Sequence, residues 1–420
     1  MRERVRRGWR LYRRHLIASP HAVKRFLAAS AFFWLGDAIV MLLWNLYFRQ
    51  IGYDQAQIGS FLSWGAWGAV SSAIPSIVAT HRLSQRSIVV GACALARIGQ
   101  AAAVFMPGPA LIIPCVFAAS FGQGLLRLST GPILMDAITV RQRSSLFAVS
   151  SAIMIAMGIA GSLIGGWLPA LLDRSLIHAE SLRIALLTGS AIGLLGLIPA
   201  MRLDAKVRDP LPMRWEAFHV RLVRGQPWAQ LGRLILPGFI IGLGAGLIIP
   251  FLNLYFRDEF NLTTAEIGHY FAIQQAMMVA GILLGPAMVR RWGMVRALLI
   301  CQLGSIPFFA TMALTTSQLL AGIAYLFRGT LMNMGNPIQT QFTLEQAGRQ
   351  STVTANALTT VSWNLAWALS TAAGGAIIVG WGYRTTMWLA VIMYLIAASL
   401  LWAMFRHVEG IRERTAPATR

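Results

Sequence analysis

Asn45-Leu46-Tyr47-Phe48-Arg49 returns 208 positions later as Asn253-Leu254-Tyr255-Phe256-Arg257, and each copy closes a long apolar segment. Further on, Ala56-Gln57-Ile58-Gly59 is echoed by Ala265-Glu266-Ile267-Gly268. Gly161-Ser162-Leu163-Ile164-Gly165-Gly166 is echoed by a degenerate Ser370-Thr371-Ala372-Ala373-Gly374-Gly375, and both echoes lie 209 positions on. Three echoes at nearly one offset mark a duplicated unit about half the chain long. A solenoid or propeller would repeat every ~20 to 50 residues instead, so each half is a domain-sized bundle.

Composition says what the bundles are made for. The 420 residues are 56% hydrophobic and 12% charged, with a mean hydropathy of +0.60. That is more apolar surface than a water-facing globule can hide, so lipid must cover it. A bilayer core ~30 Å thick needs ~20 apolar residues per helix, and twelve spans can be placed. Phe26 to Phe48, Ala56 to Ala79, Ser87 to Phe105, Ala110 to Ile138, Leu146 to Leu172 and Leu182 to Ala200 form the first half. Leu231 to Phe256, Ile267 to Val289, Val295 to Leu314, Leu319 to Phe342, Val353 to Val379 and Thr386 to Phe405 form the second. The expected fold class is an all-α membrane protein of 12 transmembrane helices in two pseudo-symmetric six-helix bundles.

The net charge of +21 would direct a soluble protein to nucleic acid, but its placement decides otherwise. With the N-terminus read as cytoplasmic, the outer loops hold only Arg49, Arg174, Arg183, Arg257 and Arg384. This is the positive-inside pattern. It implies a multi-pass protein of the plasma membrane with both termini cytoplasmic and no nucleic-acid partner. Residues 1–25 read as a basic amphipathic segment on anionic lipid. Residues 26–200 and 231–405 are the two bundles, 201–230 a cytoplasmic linker, and 406–420 a tail.

Cys93, Cys115 and Cys301 are odd in number and lie in apolar spans, so no disulfide framework or metal site is implied. The histidines lie mostly in loops or at helix ends and match neither a zinc-protease nor a serine-hydrolase motif, which argues against an intramembrane enzyme. No cofactor is expected. Four ionisable residues do fall well inside spans: Asp37, Arg97, Arg127 and Arg328. Each costs ~2.5 to 3.5 kcal/mol at the centre of an inserted helix, so each calls for a partner or a task.

Two six-helix halves of parallel topology, joined by a basic linker, resemble the major facilitator superfamily of secondary transporters over essentially the whole chain. The family's loop signature between helices 2 and 3, Gly-x-x-x-Asp-Arg-x-Gly-Arg-Arg, is reduced here to His81-Arg82-Leu83-Ser84-Gln85-Arg86. In the second half it is reduced to Arg291-Trp292-Gly293-Met294-Val295-Arg296. In the family these arginines bind an acid at the end of helix 4 of the same half. The resemblance implies gate pairs of Arg82 or Arg86 with Asp136, and of Arg291 or Arg296 with Glu345. The Gly161 to Gly166 motif is similar to the Gly-Pro-x-x-Gly-Gly of drug-proton antiporters, with Ser162 in place of the proline. The helix-4 signature Arg-x-x-Gln-Gly survives only as Ser120-Phe121-Gly122-Gln123-Gly124, without its arginine.

In the resembled fold, helices 1, 4, 7 and 10 line a cavity near the midplane, and access alternates as the halves rock. That places Asp37, Arg127 and Arg328 at the site, with Asn45, Gln123, Asn253, Asn333, Asn336 and Trp34 as further lining. Arg97, on an outer helix, reads as a structural residue paired within the first half. Arginine does not deprotonate in proteins, so Arg328 would hold a substrate anion and Asp37 would carry the proton. Asp37 is expected to contact Arg127 in one state, the alternative being a permanent pair with Arg127 or Arg97. No nucleotide-binding motif is present, so transport would be secondary. The expected function is proton-coupled efflux of a small amphipathic solute by a monomer. An organic-anion transporter is the alternative within transport, and a transport-dead receptor or scaffold the alternative from another class.

Overall fold

The structure, a computed structural model, describes the backbone of residues 21–137, 140–203 and 226–415. It describes their side chains except at 80–81, 132–145, 349–350, 353 and 408–415. The basic segment before His21, most of the linker, the end of the tail and the side chain of Asp136 lie outside the described residues.

Among the described residues every regular element is a helix. The first half holds α1 (His21–Gln50), α2 (Gln55–Ser71, resumed after Ser72 as Ala73–Arg82) and α3 (Gln85–Phe105). It continues with α4 (Pro109–Ala137), α5 (Val140–Leu172) and α6 (His178–Leu195, resumed as Leu197–Ala200). In the second half, α7 runs from Trp228 to Ile248, tightens into a 3-10 turn at Ile249–Phe251 around Pro250, and resumes over Leu252–Phe260. Then come α8 (Thr264–Trp292) and α9 (Met294–Leu314). The helical run Gln318–Thr415 breaks at Gly348 (φ 73, ψ 164) and Gly382 (φ 78, ψ 174). That backbone region is open essentially to glycine alone. The breaks divide the run into α10 (318–347), α11 (349–381) and α12 (383–415), which makes twelve helices among the described residues. Among the described residues ten stretches qualify as apolar spans, one of which, Thr354–His407, contains parts of both α11 and α12. The exception is α10, which carries Arg328, Asn333, Asn336, Gln339, Thr340 and Gln341.

The repeated pentapeptide has a structural task. Tyr47 donates its hydroxyl proton to the carbonyl of Val104 at 3.1 Å, and Tyr255 does the same to Met312 at 2.7 Å. Both acceptors lie in the last turn of the third helix of their half, where carbonyls have no partner within the helix. In a bilayer an unsatisfied backbone group costs several kcal/mol, so the tyrosine of each copy satisfies one such group and ties helix 1 to helix 3. Phe48 and Phe256, next in each copy, are fully buried.

The other two echoes meet one another. A Cβ on Gly268 would stand 2.5 Å from the Ser162 carbonyl oxygen and 2.9 Å from the Gly166 Cα. A Cβ on Gly59 would stand 2.5 Å from the Thr371 carbonyl oxygen and 3.2 Å from the Gly375 Cα. Gly59 corresponds to Gly268, and Gly166 to Gly375, so one crossing is built twice from exchanged copies. By contacts the chain forms two compact units. Unit 1 takes the described residues of Met1–Gly52, Trp64–Met213 and Thr263–Ala272; unit 2 takes those of Tyr53–Ser63, Arg214–Leu262 and Ile273–Arg420. The start of α8 thus groups with α5, and the start of α2 with α11. Unit 2 also fastens its α2 segment through polar contacts. Gln55 donates to Asp258 at 2.9 Å, Tyr383 donates to the same carboxylate oxygen at 2.7 Å, and Ser63 donates to the Ala368 carbonyl at 2.5 Å.

Backbone-level packing of this kind predicts a sharp contrast between glycines. Gly268→Ala should lower the melting temperature of the purified protein, because a carbonyl oxygen has to move to admit the methyl. Gly91→Ala, with nothing within 4 Å of the added carbon, should leave it unchanged or gain up to ~1 kcal/mol from helix propensity. Equal melting of the two variants would contradict the close crossing.

Candidate functional site

The polar centre of unit 1 is built around Arg97 on α3, whose side chain has no exposed surface. Its Nη2 donates to Asp37 Oδ1 at 3.0 Å and to the Phe33 carbonyl at 3.0 Å, its Nη1 donates to Gln100 Oε1, and its guanidinium lies 4.0 Å from the Phe33 ring centroid. Room for it comes from α6: a Cβ on Gly193 would stand 2.6 Å from Arg97 Cδ and Nε. Small residues likewise let α4 close on α3, since a Cβ on Gly122 would stand 2.7 Å from the Ala92 carbonyl oxygen and the Ala96 nitrogen. A desolvated charge is tolerated only when it is paired and hydrogen-bonded, and three residues on two helices, Asp37 and Phe33 on α1 and Gln100 on α3, meet that condition here.

Asp37, on α1, is the partly open member, with 16% of its side chain exposed. Gln123 on α4 donates its amide to the same Oδ1 that Arg97 engages. Oδ2 accepts no hydrogen bond among the described residues. One carboxylate oxygen is therefore held from two sides, and the other is held from neither. One helical turn further along α4, Arg127 lies with its guanidinium 5.6 Å from the Trp34 ring centroid. The antiparallel run of α1 and α4 sets both contacts: Gln123 meets Asp37, and the residue four later meets the residue three earlier. Arg127 is exposed and forms no ion pair among the described residues. The cationic partner of Asp37 is thus Arg97, the pair left open as the alternative, and the Asp37–Arg127 contact expected in one state is not made here.

The rest of the expected lining, Asn45 in unit 1 and Arg328, Asn253, Asn333 and Asn336 in unit 2, divides. Arg328 is 6% exposed and turned inward: it donates to the Tyr394 hydroxyl on α12, and its guanidinium lies 4.4 Å from the Phe309 ring centroid on α9. An arginine packed between aromatic rings is not presented to a substrate. Asn45 and Asn253 are buried at 3% and 2% exposure beside the aromatic residues that follow them. On α10, Asn333 donates to the Gly329 carbonyl of its own helix at 2.8 Å, and the exposed Asn336 donates to Asn333 Oδ1 at 3.3 Å.

The loop arginines fall out as follows. Arg82 and Arg86 are exposed, and their expected partner Asp136 lies outside the described side chains. Arg291 stacks on its neighbour Trp292, with its guanidinium 5.2 Å from the ring centroid. It makes no ion pair among the described residues, so the Arg291–Glu345 alternative is not realised. Glu345 accepts from Gln341 at 2.8 Å one turn back on α10.

Comparison with known proteins fits this architecture. The family model of the Major Facilitator Superfamily matches residues 26–371. The chain belongs to the major facilitator superfamily. Among solved structures, a mutant of the nucleoside transporter NupG is similar at TM-score 0.74 and 16% identity, covering 92% of this chain and 100% of that one. A bacterial homolog of the human lysosomal transporter Spinster, in an inward-facing and unoccupied conformation, is similar at TM-score 0.73 and 15% identity, covering 92% and 97%. A D-xylose-proton symporter is similar at TM-score 0.72 and 14% identity, again covering 92% and 97%. At such identities the likeness is one of fold. A search by sequence among characterised proteins gives no match. Family and fold are those of secondary transporters, multi-pass in the membrane, and the major facilitator relatives carry small molecules.

Sequence reasoning missed Gln100 and Gly193 as parts of this facilitator's polar centre. Gln100 stands three residues from Arg97, on the same helix face, and could have been found by that spacing. Gly193 carries no such signal, because only the fold brings α6 to Arg97.

The geometry predicts which arginines hold the protein together. Arg97→Gln leaves Asp37 without its cation and should cost about 3–5 kcal/mol, read as a large fall in melting temperature. Adding Asp37→Asn should restore part of it. Arg328→Gln should also lower the melting temperature, whereas Arg127→Gln should leave it nearly unchanged. A large loss with Arg127→Gln would place that arginine in the packing instead.

Proposed function

We propose that this facilitator moves a small amphipathic solute by proton-coupled alternating access, with Asp37 as the group that takes and releases the proton. The observation that supports this reading is the division of labour on one carboxylate. Oδ1 is fixed by Arg97 and Gln123, while Oδ2 is unbonded among the described residues on a side chain that is partly exposed. A proton arriving at Oδ2 leaves both donors to Oδ1 in place, so the acid can change charge without dismantling the packing around Arg97. Loss of the charge does change what Arg97 is paired with. That gives the proton a differential affinity for different arrangements of the helices, without which no ligand can drive a conformational equilibrium.

In this proposal the protein works as a monomer in the plasma membrane, with both termini cytoplasmic and the basic N-terminal segment on anionic lipid. Outward movement of the solute in exchange for protons is the direction implied by the Gly161 to Gly166 motif. The same glycines serve close packing: a Cβ on Gly161 would stand 2.8 Å from the Leu35 carbonyl oxygen, and Gly166 forms the crossing with Gly268. The case for coupling therefore rests on Asp37, not on the motif.

The test is transport in proteoliposomes under an imposed pH gradient. Asp37→Asn should abolish gradient-driven accumulation while leaving exchange of solute between the two sides. A mutant that still accumulates solute in response to the gradient would show that the proton is carried elsewhere.

A further inference from the structure

We infer that unit 1 carries a binding site for an organic carboxylate with an apolar, ring-containing body, in which Arg127 pairs with the carboxylate and Trp34 packs against the body. This deepens the transport reading above by naming the substrate class, and it rests on that reading only for the step that follows binding.

The argument begins with charge. Asp37 and Arg97 neutralise one another, which leaves Arg127 as the cation of the α1–α4 contact without a carboxylate among the described residues. Arg127 is ten residues before the end of α4 and eighteen after its start. At 1.5 Å per residue it stands ~15 Å from one end and ~27 Å from the other, inside the apolar span Pro109–Gly131. A guanidinium there costs ~2.5 to 3.5 kcal/mol unless an anion meets it, and the exposed side chain is free to be met.

Arg328 shows the contrasting case. It too has no carboxylate among the described residues, but it is 6% exposed, bonded to Tyr394 and enclosed by rings. Its guanidinium is taken up by protein groups, so the two intramembrane arginines are not equivalent, and of the pair Arg127 is the exposed one.

The shape of the ligand follows from the neighbours. A guanidinium matches a carboxylate in a planar, two-bond fork. Beside it, the partly exposed Trp34 indole, itself edge-on to Phe33 at 5.4 Å between centroids, is a rigid apolar wall. A ligand with a flat apolar body and a carboxylate at one end satisfies both at once; an inorganic anion uses only the first. Gln123 and the open Oδ2 of Asp37, one turn along, add a donor-acceptor pair for a polar substituent.

The test uses the full chain in nanodiscs of neutral phosphatidylcholine, without any gradient, so its outcome does not depend on whether Asp37 carries the proton. Binding of 2-naphthoate, its neutral isostere 2-naphthamide, acetate and chloride is measured by calorimetry. For a charge-assisted pair, 2-naphthoate should bind about tenfold or more tighter than 2-naphthamide. Arg127→Gln should erase that preference by weakening the acid and not the amide. Arg127→Lys, which keeps the charge without the fork, should retain part of it. Trp34→Leu should weaken acid and amide alike while leaving acetate unchanged. Equal binding of acid and amide overturns the inference, as does an acid preference that survives Arg127→Gln. Chloride or acetate binding as tightly as 2-naphthoate would mark an adventitious counter-ion only, and also overturns it. So does loss of 2-naphthoate binding to wild type in nanodiscs containing anionic phosphatidylglycerol, which would assign Arg127 to lipid.

Discussion

A guanidinium with no exposed surface, set in a bundle of helices that otherwise face lipid, dictates most of what surrounds it. Arg97 cannot shed its proton, and removing a charge from water costs several kcal/mol even after the protein relaxes around it. The bundle therefore supplies a carboxylate from α1, a backbone carbonyl and a ring face from Phe33, an amide from its own helix at Gln100, and a missing Cβ at Gly193. Each of these fixes a helix. Rotation of α1 would withdraw both Phe33 and Asp37, and any side chain on Gly193 would occupy the volume of the Arg97 stem. The buried ion pair thus acts as a registration device for α1, α3 and α6, with α4 joined through Gln123.

The scaffold is duplicated while its chemistry is not. Tyr47 and Tyr255 bond the same turn of equivalent helices, and the glycine crossings recur with their copies exchanged. Where unit 1 has Asp37, unit 2 has Gly246, whose missing side chain leaves space for Ser370. Where unit 2 buries Arg328 against Tyr394, unit 1 has the small residues Ala119 and Ala185 at the corresponding positions. Duplication preserved the joints, which any six-helix bundle in lipid requires, and left each half to place its own buried cation.

The fold was legible because its signals are long. Apolar stretches of membrane length, a repeat at one offset and an uneven distribution of arginine all survive without knowing how any helix is turned. Which face of a helix looks where was not legible. In a soluble helix the apolar stripe marks the inner face, but a membrane helix is apolar on both its packed and its lipid faces, so pattern alone could not say that Arg328 turns toward Tyr394 or that Asn45 and Asn253 are buried. The same blindness left Asp37 undecided between Arg127, which shares a helix with Gln123, and Arg97, which α3 brings to it through packing on small residues. That the start of α2 groups by contacts with α11, and the start of α8 with α5, was hidden for a similar reason: glycine pairs that let backbones touch are common in sequence, and only coordinates show which pairs meet.

The single-residue junctions at Gly348 and Gly382 make the last quarter of the chain a continuous rod folded twice. One residue spans at most ~3.6 Å, so α10, α11 and α12 have no slack with which to slide past one another along their axes; any displacement of one is handed to the next. Neither junction offers a stretch of extended chain long enough to enter a protease cleft or to accept an inserted tag without unwinding a helix. Surgery on this region, whether by nicking, circular permutation or fusion of a reporter, has to be directed to segments such as Met106 to Gly108 or Asp173 to Ile177, where α3 is joined to α4 and α5 to α6 by real loops.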